Sequence, residues 1–124
     1  MEAILDSSFI ISCFRRKIDF FGRLREEGFS VKVPKEVMQE LKDLKKKATG
    51  SREDRFILDM ALKMIGDNKE IKMIRLGNKG VDAGLIEWGK KGVYIASLDA
   101  VVKRSVPNRI FISDSKNDIT IERA

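Results

Sequence analysis

Histidine is absent from this 124-residue sequence, and cysteine occurs only once, as Cys13. Without histidine the chain cannot form a Ser-His-Asp or Cys-His nucleophilic site, a histidine acid–base pair for RNA cleavage, or a histidine-ligated zinc site. A single cysteine cannot form an intramolecular disulfide, which is typical of proteins in a reducing compartment. Enzymatic chemistry would therefore depend on carboxylates, lysines, hydroxyls and hard, oxygen-ligated cations such as Mg²⁺ or Mn²⁺.

Long hydrophobic runs are also missing. No apolar run approaches the roughly 20 residues that are needed to span a bilayer. Glu2 and Asp6 interrupt the N-terminal region, where a signal peptide would need a continuous apolar stretch. We therefore expect a cytoplasmic protein with no membrane partner. The length and the 43% hydrophobic content predict one folded domain over residues 1–124.

Basic residues outnumber acidic ones. The chain has 25 Lys and Arg against 19 Asp and Glu, which gives a net charge of +6. A basic protein that also carries clustered acids suits a polyanionic partner such as nucleic acid, because the surface attracts phosphates towards a local metal site. A lysine-rich, solvated surface would give the same balance without any such partner.

Two short apolar runs each end in an aspartate that opens a predicted helix. Ala3–Leu5 is followed by Asp6, and Val93–Leu98 is followed by Asp99. Such runs are typical of buried parallel strands, and ligands in open α/β sheets bind beyond the carboxyl ends of the strands. The two aspartates therefore indicate the beginning of a metal site, although each alone is also a common helix N-cap.

Strands and helices alternate along the rest of the chain. The predicted helices are Ser7–Phe14, Ile18–Glu27, Pro34–Lys47, Arg52–Ile65, Val81–Lys91 and Asp99–Ser105. The further predicted strands are Val31–Val33, Ile71–Leu76, Arg109–Ile112 and an edge strand Asp118–Glu122. A loop is predicted at residues 49–51, and turns are predicted around Asp114 and Asp118. This alternation predicts a three-layer α/β/α sandwich with a central, mainly parallel sheet.

Helical periodicity separates the acids of the third helix. A helix advances about 100° per residue, so apolar positions that share one face define its buried stripe. That stripe is formed by Val37, Leu41 and Leu44. Glu40 lies beside it, whereas Glu36 and Asp43 lie further away. Glu40 is therefore the better candidate ligand, and a solvated acid at the rim of the stripe is the alternative.

The helix that begins at Val81 contains an acid on its apolar side. The apolar arc is formed by Val81, Leu85, Ile86 and Trp88. Asp82 falls inside this arc, whereas Glu87 projects to the opposite side. A buried, unpaired carboxylate is unfavourable unless a cation or a donor meets it. Asp82 is therefore a candidate ligand, and an acid that favours the positive end of the helix dipole is the alternative.

Four segments of the chain match one known family in order, spacing and element type. They are Ile4–Ile10, Val33–Leu41, Val81–Ile86 and Ile95–Asp99. Together they resemble the PIN domain, a family of metal-dependent ribonucleases. The resemblance implies that Mg²⁺ or Mn²⁺ is held by Asp6, Glu40, Asp82 and Asp99, with Ser8 and Ser97 as supporting hydroxyls.

The resemblance also implies a function. The expected reaction is hydrolysis of an RNA phosphodiester bond by metal-activated water, either in a VapC-type toxin or in a nuclease that processes RNA precursors. A homodimer fits this family, as does a small antitoxin protein for a toxin. Lys103, Arg104 and the cluster Lys45–Lys47 are candidates for contacts with flanking phosphates.

Two other functions fit parts of the pattern. A haloacid-dehalogenase-like phosphatase or a response-regulator receiver also places an aspartate after its first strand. The phosphatase needs a second acid two residues later, where this chain has Ser8, and the receiver needs an acidic pair that the N-terminus lacks. A non-catalytic RNA- or protein-binding module that retains the acidic pocket is the other alternative.

Overall fold

The computed structural model describes residues 1–48 and 51–124. Its strands are β1 (Glu2–Leu5), β2 (Ser30–Pro34), β3 (Lys72–Ile74), β4 (Tyr94–Ala96), β5 (Arg109–Ser113) and β6 (Asp118–Glu122). Its helices are α1 (Ser7–Arg15), α2 (Phe20–Glu26), α3 (Lys35–Lys47), α4 (Arg52–Asp67), α5 (Val81–Lys90) and α6 (Ala100–Ser105). No helix in the two described ranges is long and apolar enough to cross a membrane. Residues 49 and 50 of the predicted loop lie outside the described residues.

The strands form one six-stranded sheet in the order β3-β2-β1-β4-β5-β6. The first five strands are parallel, and only β6 pairs with its neighbour β5 in the antiparallel direction. The prediction of a central, mainly parallel sheet is confirmed. Because β1 lies between β2 and β4, the residues that follow these three strands meet at the middle of the carboxyl edge of the sheet.

Alternation along the strands explains the three layers. Ala3 and Leu5 point to one face of the sheet, where they join a large core with residues of α1, α2, α3 and α4. Ile4 points to the opposite face and packs in a second core with Leu85 of α5 and Val102 of α6. Since side chains alternate across a strand, one apolar run supplies both cores.

Several predicted boundaries differ from the observed ones. β4 ends at Ala96 rather than at Leu98, because the chain then turns to begin α6. α2 begins after Asp19, whose carboxylate accepts a hydrogen bond from the Gly22 amide at 3.0 Å and caps the helix. The turn at Asp114 and the strand Asp118–Glu122 are confirmed, whereas the turn predicted around Asp118 is wrong because Asp118 is the first residue of β6.

The predicted buried stripe of α3 is wrong at one position. Val37 and Leu41 are fully buried, but Leu44 is 43% exposed. The periodicity gives the direction of a side chain around the helix axis. Burial also needs a neighbouring element at the same position along that axis. In the last turn of α3 the neighbours no longer cover the Leu44 side chain.

Two glycines allow α5 to lie close to its neighbours. A Cβ atom built on Gly84 would lie 2.8 Å from the Leu76 Cβ atom, and one built on Gly89 would lie 2.8 Å from the Val106 Cβ atom and 3.1 Å from the Ile95 Cγ1 atom. These distances are shorter than ordinary carbon–carbon contacts. The close approach of Gly89 to Ile95 brings α5 against β4.

We therefore expect Gly89→Ala to lower the free energy of unfolding by about 1–3 kcal/mol, because the added methyl group must displace Val106. Gly66→Ala in α4 is the matched control, since a Cβ atom there meets nothing within 4 Å. It should instead raise the free energy of unfolding by about 0.5–1 kcal/mol, because alanine favours the helix over glycine. Urea denaturation of both variants measures the difference, and equal effects would contradict this account of the packing.

Candidate active site

Asp6 lies at the centre of the carboxyl edge of the sheet. It follows β1 directly and caps α1, with its Oδ1 atom accepting a hydrogen bond from the Ser7 amide at 2.8 Å. Its Oδ2 atom accepts from the Ser97 hydroxyl at 2.9 Å and from the Ser8 hydroxyl at 3.5 Å. The residue is only 5% exposed. The cap expected from the sequence is present, but the second carboxylate oxygen is held by side chains rather than by the helix.

Two serines connect the loops that follow β1 and β4. The Ser97 hydroxyl, which donates to Asp6, also accepts a hydrogen bond from the Asp99 amide at 3.1 Å. The Ser8 hydroxyl accepts from the Leu98 amide at 3.2 Å. Both serines expected as supporting hydroxyls therefore lie beside Asp6. They fix its carboxylate and the backbone leading to Asp99 in one network.

Asp99 is held at the end of this network. Its Oδ1 atom caps α6 by accepting from the amides of Val101 at 2.9 Å and Val102 at 3.1 Å. Asp99 is therefore a helix N-cap, the alternative role that the sequence suggested for it. A carboxylate has two oxygen atoms and about four lone-pair positions, so Oδ2 retains its capacity for another partner.

Glu40 comes to the site from α3. It is half-buried, and its Oε1 atom accepts a hydrogen bond from the Ser7 hydroxyl at 3.3 Å. Asp6 and Glu40 are therefore connected through one residue, Ser7, whose amide binds the first carboxylate and whose hydroxyl binds the second.

Asp82 is exposed, so the prediction that it is buried inside the apolar arc is wrong. Leu85 of the same arc is fully buried, whereas Asp82 lies in the first turn of α5, where no neighbouring element covers it. Its negative charge nevertheless contributes to raising the pKa of both Asp6 and Glu40. Asp82 therefore belongs to the same acidic surface as the other two and forms its solvent-exposed rim.

The electrostatics of the site favour an added positive charge. Burial raises the pKa of Asp6, the hydrogen bonds from Ser97 and Ser7 oppose that rise, and the charges of Asp82 and Asp99 add to it. Burial also raises the pKa of Glu40, and the nearby Asp6 charge raises it further. The ion pairs of residues 1–48 and 51–124 include none of these four acids, although the chain is basic.

The oxygen atoms of the site are of the kind that binds a hard cation, but the side chains that carry them are arranged for hydrogen bonding. Carboxylate and hydroxyl oxygens are the ligands that Mg²⁺ and Mn²⁺ prefer. Over the described ranges, however, no three Asp, Glu or Cys side chains converge closely enough to enclose an ion. Each of Asp6, Glu40 and Asp99 is instead held by hydroxyl or amide donors, which relieve part of the repulsion between like charges.

Sequence reasoning missed two contributors to the site. Ser7 connects Asp6 to Glu40, and its position between a strand-ending acid and a helix is the signal that could have indicated it. Glu36 lies further than Glu40 from the predicted buried stripe, but in the fold it is half-buried and accepts from the Leu76 amide at 3.0 and 3.2 Å. Glu36 therefore fixes the chain that leads from β3 to α5. Its partner lies 40 residues away, and no local pattern indicates it.

Comparison with solved structures supports the description of the fold. The PIN domain endonuclease Utp24 superimposes with a TM-score of 0.72 and 21% sequence identity, over 99% of this chain and 92% of that chain. A chain of VapBC2 from Rickettsia felis, solved bound to a DNA fragment from its promoter, gives a TM-score of 0.52 and 13% identity, over 86% of this chain and 96% of that chain. No family model matches the sequence, and no curated protein matches it significantly.

The chain has the fold of a PIN domain. The resemblance inferred from four sequence segments is thereby confirmed for the fold. At these levels of identity the likeness carries no residue roles, so those must be argued from the geometry of the acids themselves.

The burial of Asp6 predicts a pH-dependent effect on stability. Its pKa is higher in the folded chain than its ordinary value of 3.8, so at neutral pH the charged carboxylate destabilises the folded state. We expect Asp6→Asn to raise the free energy of unfolding of the metal-free protein at neutral pH. As the pH falls through the raised pKa, the folded wild-type protein takes up a proton first and the advantage of the variant disappears.

Denaturation of both proteins at a series of pH values measures this effect. Glu87→Gln is the control, because Glu87 is exposed and pairs with Lys79 at 3.3 Å on the outer side of α5. It removes the same charge and should show no such gain at neutral pH. If Asp6→Asn were less stable than wild type at every pH, burial of the carboxylate would not be the dominant effect.

Proposed function

We propose that this chain is a divalent-metal-dependent endoribonuclease that hydrolyses RNA phosphodiester bonds at Asp6, Glu40, Asp82 and Asp99. The observation that carries the proposal is a buried carboxylate, Asp6, that has no basic partner among the described residues and lies near the charges of Asp82 and Asp99, in a protein of net charge +6. The likeness of the fold to an endonuclease supports it. So does the basic balance of the chain, which suits a polyanionic substrate.

Each residue of the proposed site has a separate task. Asp6, Glu40, Asp82 and Asp99 would hold Mg²⁺ or Mn²⁺. The ion would lower the pKa of a bound water and stabilise the charge of the transition state. Ser97 and Ser8 orient the Asp6 carboxylate, and Ser7 orients Glu40. Asp82, on the exposed rim, is the acid that an approaching phosphate would meet first.

The alternative of an aspartate-based phosphatase is disfavoured by Ser8. A phosphatase of that type needs an acid at this position, two residues after the first aspartate. Here the Ser8 hydroxyl accepts from the Leu98 amide and donates to Asp6, so it serves to fix the loops rather than to move a proton. A protein nucleophile is also unnecessary for a metal-activated water, which agrees with the absence of histidine.

The proposal includes a cytoplasmic location and one of two biological roles, a toxin or an RNA-processing nuclease. The likeness to VapBC2 supports a small antitoxin partner and a homodimer for the toxin role. Co-expression with an antitoxin candidate, followed by size-exclusion chromatography, distinguishes the two roles. A stable complex in which cleavage is suppressed would identify the toxin.

The proposed reaction predicts cleavage of single-stranded RNA in Mn²⁺ or Mg²⁺ and none in EDTA. Asp6→Asn and Asp99→Asn should each reduce the cleavage rate on the order of 100-fold or more, because each removes a carboxylate that would hold the cation, and the cation would stabilise the charge of the transition state. Glu87→Gln should leave the rate unchanged. The assay uses a mixed pool of labelled RNA, with circular dichroism to verify that each variant is folded. Equal cleavage in EDTA would exclude the metal mechanism, and no cleavage at all would favour a binding module.

Metal binding predicts an increase in thermal stability. A cation that binds only the folded state stabilises it by RT ln(1 + [M]/Kd), or about 2.7 kcal/mol at 100 times Kd. We expect Mn²⁺ to raise the Tm of the wild-type protein, and Asp82→Asn to remove most of that rise. Because Asp82 is exposed, the variant should change the metal-free Tm only slightly. A wild-type Tm that stays constant up to millimolar Mn²⁺ would show that these acids do not form one site.

A further inference from the structure

A second charged feature lies between α3 and α4. It is a cleft of about 640 Å³, and the charged residues that line it are Lys42, Lys45, Lys46 and Arg55. Leu62 forms part of its apolar floor. No acidic residue of the described chain lines the cleft. Two helices therefore place four positive charges around one concave surface.

Most of these charges are unneutralised. Lys45 forms an ion pair with Asp59 of α4. Lys42, Lys46 and Arg55 form none with any residue of the ranges 1–48 and 51–124. Like charges held around one cleft repel one another, and an anionic ligand would relieve that repulsion. The cleft is therefore prepared for a polyanion.

The cleft lies on the side of α3 opposite to the acidic site. At about 100° per residue, Lys42 lies about 200° and Lys46 about 240° around the helix from Glu40. One side of α3 thus contributes an acid to the proposed catalytic site, and the other side contributes Lys42, Lys45 and Lys46 to the cleft. The thickness of a helix, about 10–12 Å with its side chains, separates the two surfaces.

We propose that the cleft between α3 and α4 binds the phosphate backbone of single-stranded RNA, as a second contact site for a strand whose scissile bond lies at Asp6. This inference rests on the proposed nuclease function. The strand would cross α3 between the two sites. Lys42, Lys46 and Arg55 would then hold the flanking phosphates, while the carboxylates act on a bond further along.

RNA fits the cleft better than an acidic protein segment does. The lining offers positive charges on both walls, and its apolar residues are limited to Leu62 and Ala48. A docked protein helix would need a wider apolar surface to contribute most of its binding energy. Phosphate groups bind mainly through their charge. Such contacts fix the position of the RNA on the protein and do not depend on its base sequence.

The test measures RNA binding separately from cleavage. The triple variant Lys42→Gln, Lys46→Gln, Arg55→Gln is compared with wild type by fluorescence anisotropy of labelled oligouridylates in EDTA. The matched control carries Lys63→Gln, Lys90→Gln and Lys116→Gln, which remove three exposed charges outside the cleft. For single strands, the logarithm of the binding constant falls with the logarithm of the salt concentration at a slope of about −0.7 per phosphate contact. Three contacts should therefore make wild type lose about 18-fold more affinity than the triple variant between about 50 and 200 mM salt.

The length of the RNA gives an independent measure. With Mn²⁺, RNA too short to reach from the acidic site to the cleft should be cleaved by wild type and triple variant at equal rates, and a difference should appear only above the length that spans α3. With Mn²⁺ and a long RNA, the triple variant should show a raised KM and an unchanged kcat. Because binding is measured in EDTA, loss of the cleft is distinguished from failure of the metal mechanism.

The remaining outcomes would overturn the proposal. Equal losses in the triple variant and the control variant would show a general effect of net charge. No loss in the triple variant would show that the cleft does not bind RNA. Polyglutamate serves as a probe for an acidic protein. If it bound to wild type and to the control variant but not to the triple variant, and if RNA did not displace it, the cleft would be a site for an acidic protein.

Discussion

The fold and the candidate site both depend on one carboxylate at the end of the central strand. Asp6 is 5% exposed, and its two oxygen atoms accept hydrogen bonds from the residues that follow β1 and from Ser97, which follows β4. A charged group at this depth is tolerated only when donors or a cation compensate for its lost hydration. The serines supply the donors, and in doing so they fix the relative position of two neighbouring strands. The same burial makes Asp6 the acid with the greatest demand for a positive charge.

The sequence predicts the helices and strands of this fold better than it predicts which of their side chains are buried. Apolar runs and helical periodicity indicate the central strands and the helices, because those patterns reflect which faces enter the core. Burial at the ends of elements is a different property. Leu44 and Asp82 share the wheel positions of core residues, yet both are exposed, because no element of the described residues covers these two side chains.

Hydrogen bonds between distant parts of the chain are also invisible to local patterns. The bond from Ser7 to Glu40 joins residues 33 apart, and the bond from the Leu76 amide to Glu36 joins residues 40 apart. Strand order must be known before either partner can be guessed. The positions of Asp6 and Asp99 could be inferred without it, because an acid that directly follows a parallel strand must lie at the carboxyl edge of the sheet.

The pairing of β1 with β4 has a consequence for the timing of folding. The hydrogen bond between Ser97 and Asp6 closes 91 residues of sequence, and contacts of such long range are formed late because the entropy of loop closure opposes them. During synthesis Asp6 leaves the ribosome 91 residues before Ser97, which completes its surroundings. Until then the acids are separate, solvated side chains. Topology alone would thus delay assembly of the candidate site until the segment that contains Ser97 has been synthesised.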